Sequence, residues 1–165
     1  MLDSDDQADT PELRTQTQEK AVQLLARREH GRRELSRKLM QKLPALQNLP
    51  GLVESVLDHC QQQGWQSDER FVEAAVREQM QRHQGPFKIR HWLRQRCDRD
   101  DLIDAYLTYD NEVWVAIAQE ALAKKFGEDF ADLTGDRKQQ QRAQRFLHSR
   151  GFEGDQIRRA MNTDF

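Results

Sequence analysis

The residues of this chain best equipped for chemistry are cations set at helical spacing. Arg32, Arg33, Arg37 and Lys38 form one group, Lys88, Arg90 and Arg94 a second, and Lys138, Arg142 and Arg145 a third. Their chemistry is anion recognition. The planar arginine fork matches a carboxylate or a phosphate, and lysine adds a mobile point charge. The surrounding segments 23–42, 82–99 and 137–150 hold seven, six and five of the 26 basic residues, against two, one and no acids. One such helix is ordinarily a solvated face. Three of them point to an anionic partner: a nucleic acid, an acidic protein surface, or a nucleoprotein offering both.

Other chemistries find no support. The sequence has no GxxxxGK[ST] or GxGxxG phosphate loop and no HExxH pair. His59, Cys60, His91 and Cys97 are zinc-type ligands, but adjacent His59 and Cys60 diverge on a helix and no CxxC spacing occurs. Glu128 and Asp129 adjoin in a loop with no acid opposed to them. The reading is no catalytic residue, no metal, no cofactor and no enzyme activity. Trp65, Trp92 and Trp114 could stack on bases. Helical spacing instead assigns Trp92 and Trp114 to packing, and Trp65 to the contact that follows a helix-ending glycine.

Helices must carry these cations. The stretch 85–97, GPFKIRHWLRQRC, opens with Gly85 as N-cap and Pro86 at the first helical position, where a missing N–H is harmless. Ile89, Trp92 and Leu93 then share one face, and Lys88, Arg90 and Arg94 point away from it. Elsewhere Gln, Arg, Glu, Ala and Leu dominate, and no alternating apolar run reads as a strand. The fold class is therefore all-α. A first helix is expected over about 18–28, and a second after Gly31, with Glu34 as partner in a capping box. Gly64 and Gly151 each end a helix, and Asp155 caps the last one.

The apolar faces recur at a fixed step. Leu35, Ile89 and Ala143 are successive steps of 54, as are Leu39, Leu93 and Leu147, and Ile103 and Ile157 are one such step apart. Val53 precedes Ile103 by only 50, which places four extra residues in the turn near Pro44–Pro50. This predicts three tandem three-helix repeats, 18–66, 67–110 and 111–165, in an elongated, curved molecule. Residues 1–17 read as an acidic, disordered leader, because residues 1–19 carry six acids against Arg14. A mean hydropathy of −0.98 suits thin local cores. No apolar run approaches a membrane span, the N-terminus has no signal-peptide pattern, and two cysteines build no disulfide framework. These features predict a cytoplasmic monomer without membrane contact.

Four segments carry a family likeness: AVQLLARREHGRRELSRKL (21–39), GWQSDERFVEAAV (64–76), GPFKIRHWL (85–93) and RFLHSRGFEGDQIRRAM (145–161). In order and spacing they resemble the RecX family, bacterial regulators of the RecA recombinase. Asp68, Arg70 and Phe71 after Gly64, and the Arg150–Gly151–Phe152 ending, are the most telling residues. The resemblance implies three tandem three-helix units. It also implies an inhibitor that binds the RecA–single-stranded DNA filament and limits ATP hydrolysis, strand exchange and co-protease activity, hence recombination, repair and the SOS response. DNA would be contacted directly or within the filament. The competing reading is a stand-alone helical nucleic-acid-binding protein. Two departures stand out: Gly31 where the family often has Ser or Thr, and Cys97–Asp98 where it often has a glycine turn.

Overall fold

The structure, a computed structural model, describes residues 9–128 and 135–161. Among them every regular element is a helix: α1 (Pro11–Arg27), α2 (Arg32–Lys42), a 3-10 turn (Pro44–Asn48), α3 (Pro50–Gln62), α4 (Asp68–Gln81), α5 (Pro86–Arg94), α6 (Asp100–Leu107), α7 (Asn111–Phe126), α8 (Arg137–Ser149) and α9 (Gly154–Ala160). The all-α fold built from tandem three-helix domains is the one expected. None of the described helices is long and apolar enough to cross a membrane.

The chain divides into two compact units. One comprises residues 1–72 and 95–100, the other residues 73–94 and 101–165. In the first, α1, α2 and α3 enclose Ala21, Leu24, Leu35, Leu39, Val53, Val56 and Leu57, with Leu46 of the 3-10 turn sealing one end. In the second, α7 packs on α8 and α9. Every residue of the 54-step series is buried: Leu35, Ile89 and Ala143, then Leu39, Leu93 and Leu147, then Val53, Ile103 and Ile157.

Helix ends follow local chemistry. α3 and α8 finish in Schellman turns with glycine in the left-handed region, Gly64 at φ +73° and Gly151 at φ +89°. There the N–H of Trp65 donates to the Cys60 carbonyl and that of Phe152 to the Leu147 carbonyl. α4 closes the same way on His83, at φ 58°. Cys97 has no positive φ, so the turn after α5 differs from the one after α8.

Several expectations need correction. α1 begins at Pro11, not near residue 18, so residues 11–17 of the supposed leader are helical. Thr10 caps the helix by accepting the Leu13 N–H, Pro11 suits the first position, and Thr17 is buried. Residues 1–8 lie outside the described residues, as does Asp129. Gly31 is the N-cap of α2, but Glu34 makes no capping box; it is buried and paired with Arg28 and Lys38. α9 is capped by Glu153, whose N–H donates to Gln156 Oε1 at 2.9 Å, so Asp155 is not the cap. Trp65 is 40% exposed and lies edge-on to His59, and Trp92 is only partly buried, while Trp114 is a core residue.

Candidate partner-binding surface

In the first unit, α2 presents its cations beside α3 and the 95–98 turn. Arg32 is tied down. Its guanidinium reaches Glu54 at 2.6 Å, Asp58 at 2.8 Å and Gln61 Oε1 at 2.8 Å. Burial opposes its charge, but the two α3 carboxylates more than offset that and hold the group above its ordinary pKa. Arg37 is exposed and donates to the Gln95 carbonyl at 3.3 Å. Arg32, Arg33 and Arg37 line one open groove of about 680 Å³ with Ser36 and Met40. Lys38 turns the other way, 3.2 Å from His30 Nε2 and 3.4 Å from Glu34.

In the second unit, Arg90 of α5 is paired with Asp104 of α6. Asp104 follows buried Ile103 as Glu54 follows buried Val53, so each middle helix is tied to its closing helix at the same register. Lys88 points its ammonium at the Ser149 carbonyl, 3.5 Å away at the end of α8. Ser149 stands 54 residues after Gln95, whose carbonyl Arg37 takes in the first unit. These two cations complement carbonyl-rich helix ends, where positive charge is favoured. Arg94, Lys138, Arg142 and Arg145 are exposed, and Arg142 also sits 5.9 Å above the Phe126 ring.

The predicted cations thus fall into two kinds. Arg32, Arg90, Lys38, Arg37 and Lys88 are engaged with other parts of the protein. Arg33, Arg94, Lys138, Arg142 and Arg145 present their charge outward. Among the described residues no three of His, Cys, Asp and Glu gather as a metal site would require. Cys60 and Cys97 are buried, and burial pushes the Cys97 thiol up to about 11.

The sequence model of the RecX second three-helix domain matches residues 67–107, and that of the third matches residues 112–161. The Regulatory protein RecX of Halorhodospira halophila is 40% identical over 140 residues, 85% of this chain and 83% of that protein. The one from Chromohalobacter salexigens is 40% identical over 142 residues, 86% and 88% of the two chains. The chain belongs to the RecX family. The crystal structure of RecX from Lactobacillus salivarius shares the fold, with a TM-score of 0.72 at 20% identity over 92% of this chain and 96% of that one.

Within this RecX-family chain, the residues that carried the resemblance build corners. Asp68 accepts the Arg32 backbone N–H at 2.8 Å and the Gln66 amide at 3.0 Å. Arg70 bridges Glu29 at 2.9 Å and the Gly64 carbonyl at 2.8 Å. Arg150 lies over the Phe146 ring at 5.2 Å and donates to the Arg82 carbonyl. One surface feature escaped the search for cations. Phe87 is 62% exposed, and with His91 and Arg94 it lines the outer face of α5. The signal was available: once Ile89, Trp92 and Leu93 face inward, positions 87, 91 and 94 face out together.

Proposed function

We propose that this protein inhibits the RecA recombinase by binding the RecA–single-stranded DNA filament, lowering its ATPase, strand-exchange and co-protease activities. It would thereby limit recombination, repair and the SOS response from the cytoplasm, as a monomer. Family membership supports the regulatory role. The observation that carries the reading is the outward charge on α2, α5 and α8, where Arg33, Arg94, Lys138, Arg142 and Arg145 are exposed. A filament repeats its anionic surface, so several modest contacts by one chain add through effective concentration. Contacts that bridge neighbouring subunits would resist the movements that accompany ATP turnover. No group of the chain is asked to perform bond chemistry.

The test is RecA ATPase on single-stranded DNA, titrated with this protein. Progressive loss of turnover at concentrations near or below that of RecA is expected, and unchanged turnover at excess would overturn the reading. A parallel salt series separates the stand-alone DNA-binding alternative. Tight binding to bare DNA that collapses with salt, with no effect on RecA, would favour that alternative.

A further inference from the structure

Phe87 is the most exposed of the large apolar side chains noted on this surface, at 62% against 37–45% for Val22, Trp65, Tyr109 and Val113. Its backbone is firmly held. The Phe87 N–H donates to the Gly151 carbonyl at 3.0 Å, and the Gly85 N–H to the Arg150 carbonyl at 2.7 Å. The Gly85 and Gly151 backbones touch so closely that a Cβ on Gly85 would lie 2.4 Å from the Gly151 carbonyl carbon. An exposed ring on a pinned backbone gives up little freedom when a ligand covers it. His91 and Arg94, four and seven residues on, follow it along the exposed face. Phenyl, imidazole and guanidinium are all planar groups on which unpaired bases stack. α5 contains no acid, and Lys88 adds charge beside the ring.

We propose that the Phe87–His91–Arg94 stripe of α5 is a stacking ladder for the bases of single-stranded DNA, with Phe87 as its anchor and Lys88 and Arg94 facing phosphates. A protein hot spot would surround the ring with further apolar side chains. Here the neighbouring positions on the exposed side are Lys88, His91 and Arg94, which favours a polyanion with flat faces. The proposal rests on the filament reading for the source of the strand, since that filament is where single-stranded DNA would be met.

The test measures the affinity of the full chain for a fluorescent oligothymidylate by anisotropy across salt, without recombinase. Filament binding and ATPase inhibition are measured separately on the same proteins. Phe87→Ala and Phe87→Leu should each weaken oligonucleotide binding about tenfold, as loss of one stacked base does. The slope of log affinity against log salt should not change, because no phosphate contact is lost. Phe87→Trp should keep or raise affinity, and Arg94→Ala should lower both affinity and slope. Circular dichroism of the Leu variant checks the fold. Wild-type affinity in Phe87→Leu would show a mere apolar contact and overturn the ladder. So would filament binding lost with oligonucleotide binding intact, which would put the ring against protein. Intact oligonucleotide results with no effect on the ATPase would overturn the filament reading alone.

Discussion

Gly85 and Gly151 lie backbone to backbone: a Cβ placed on Gly85 would fall 2.4 Å from the Gly151 carbonyl carbon and 2.5 Å from the Phe152 nitrogen. The start of α5 is thereby seated on the turn that ends α8. Gly31 repeats the arrangement in the first unit, 54 residues earlier, where a Cβ would meet the Arg96 carbonyl oxygen at 2.1 Å. Ser or Thr at position 31 would not fit this chain without moving that turn.

Gly85→Ala should therefore lower unfolding stability by about 2–3 kcal/mol, the scale of forced overpacking against an element that cannot yield. Gly51 is the control. It lies within α3 with nothing within 4 Å of an added Cβ, so Gly51→Ala should raise stability by up to about 1 kcal/mol. Urea denaturation of the two variants checks both signs.

Acid should destabilise the protein in two stages. His30 is buried, its Nδ1 3.0 Å from the Arg28 carbonyl and its Nε2 3.2 Å from the Lys38 ammonium. Only a neutral ring with its proton on Nδ1 serves both partners. Burial, aided by the Arg28 and Lys38 charges, keeps its pKa below the ordinary 6.5. As pH falls below 6.5 the unfolded chain takes up a proton that the folded chain refuses, so stability declines toward the lowered folded value. Glu34 adds a second loss. Burial pushes its carboxyl up, but Arg28, His30 and Lys38 together hold it below its ordinary 4.5. Its contribution is present above 4.5 and disappears as pH falls through the lowered folded value. Denaturation at pH 7.5, 6 and 5 should show the first decline, and His30→Gln should flatten it. Equal pH dependence in both proteins would remove His30 from the account.

Reversing charge on the outer face of α8 should affect binding and not folding. Lys138 and Arg145 are both exposed, and Lys138 stands in the first turn, where an acid is favoured by the helix dipole. The double variant Lys138→Glu with Arg145→Glu should unfold within about 0.5 kcal/mol of wild type. It should inhibit RecA ATPase at least about tenfold more weakly. Undiminished inhibition would take α8 out of the interface.

Arg90 is the contrasting case, because its partner Asp104 lies on the next helix. A double-mutant cycle of Arg90→Ala and Asp104→Ala should report a coupling of about 0.2–1 kcal/mol, typical of a partly exposed pair.

The cysteines should be inert while the chain is folded. Cys97 is buried and its thiol is pushed up to about 11, and burial also raises the Cys60 thiol. A thiol reagent at pH 8 should label neither until denaturant is added.

The sequence by itself determined the helices, the 54-residue step of their buried faces, and the glycine stops at Gly64 and Gly151. All of these rest on local rules: side-chain direction along a helix, and the left-handed turn that glycine tolerates. The same register placed Arg33, Arg94, Lys138, Arg142 and Arg145 outward. What only the tertiary structure decided is which cations are already engaged. Arg32 meets Glu54 and Asp58 across 22 and 26 residues of chain, Arg90 meets Asp104, and Arg37 and Lys88 reach carbonyls 58 and 61 residues away. Periodicity says which way a side chain leaves its helix. What waits there depends on how other helices pack, and the arginines on one outward face look alike until that packing is known.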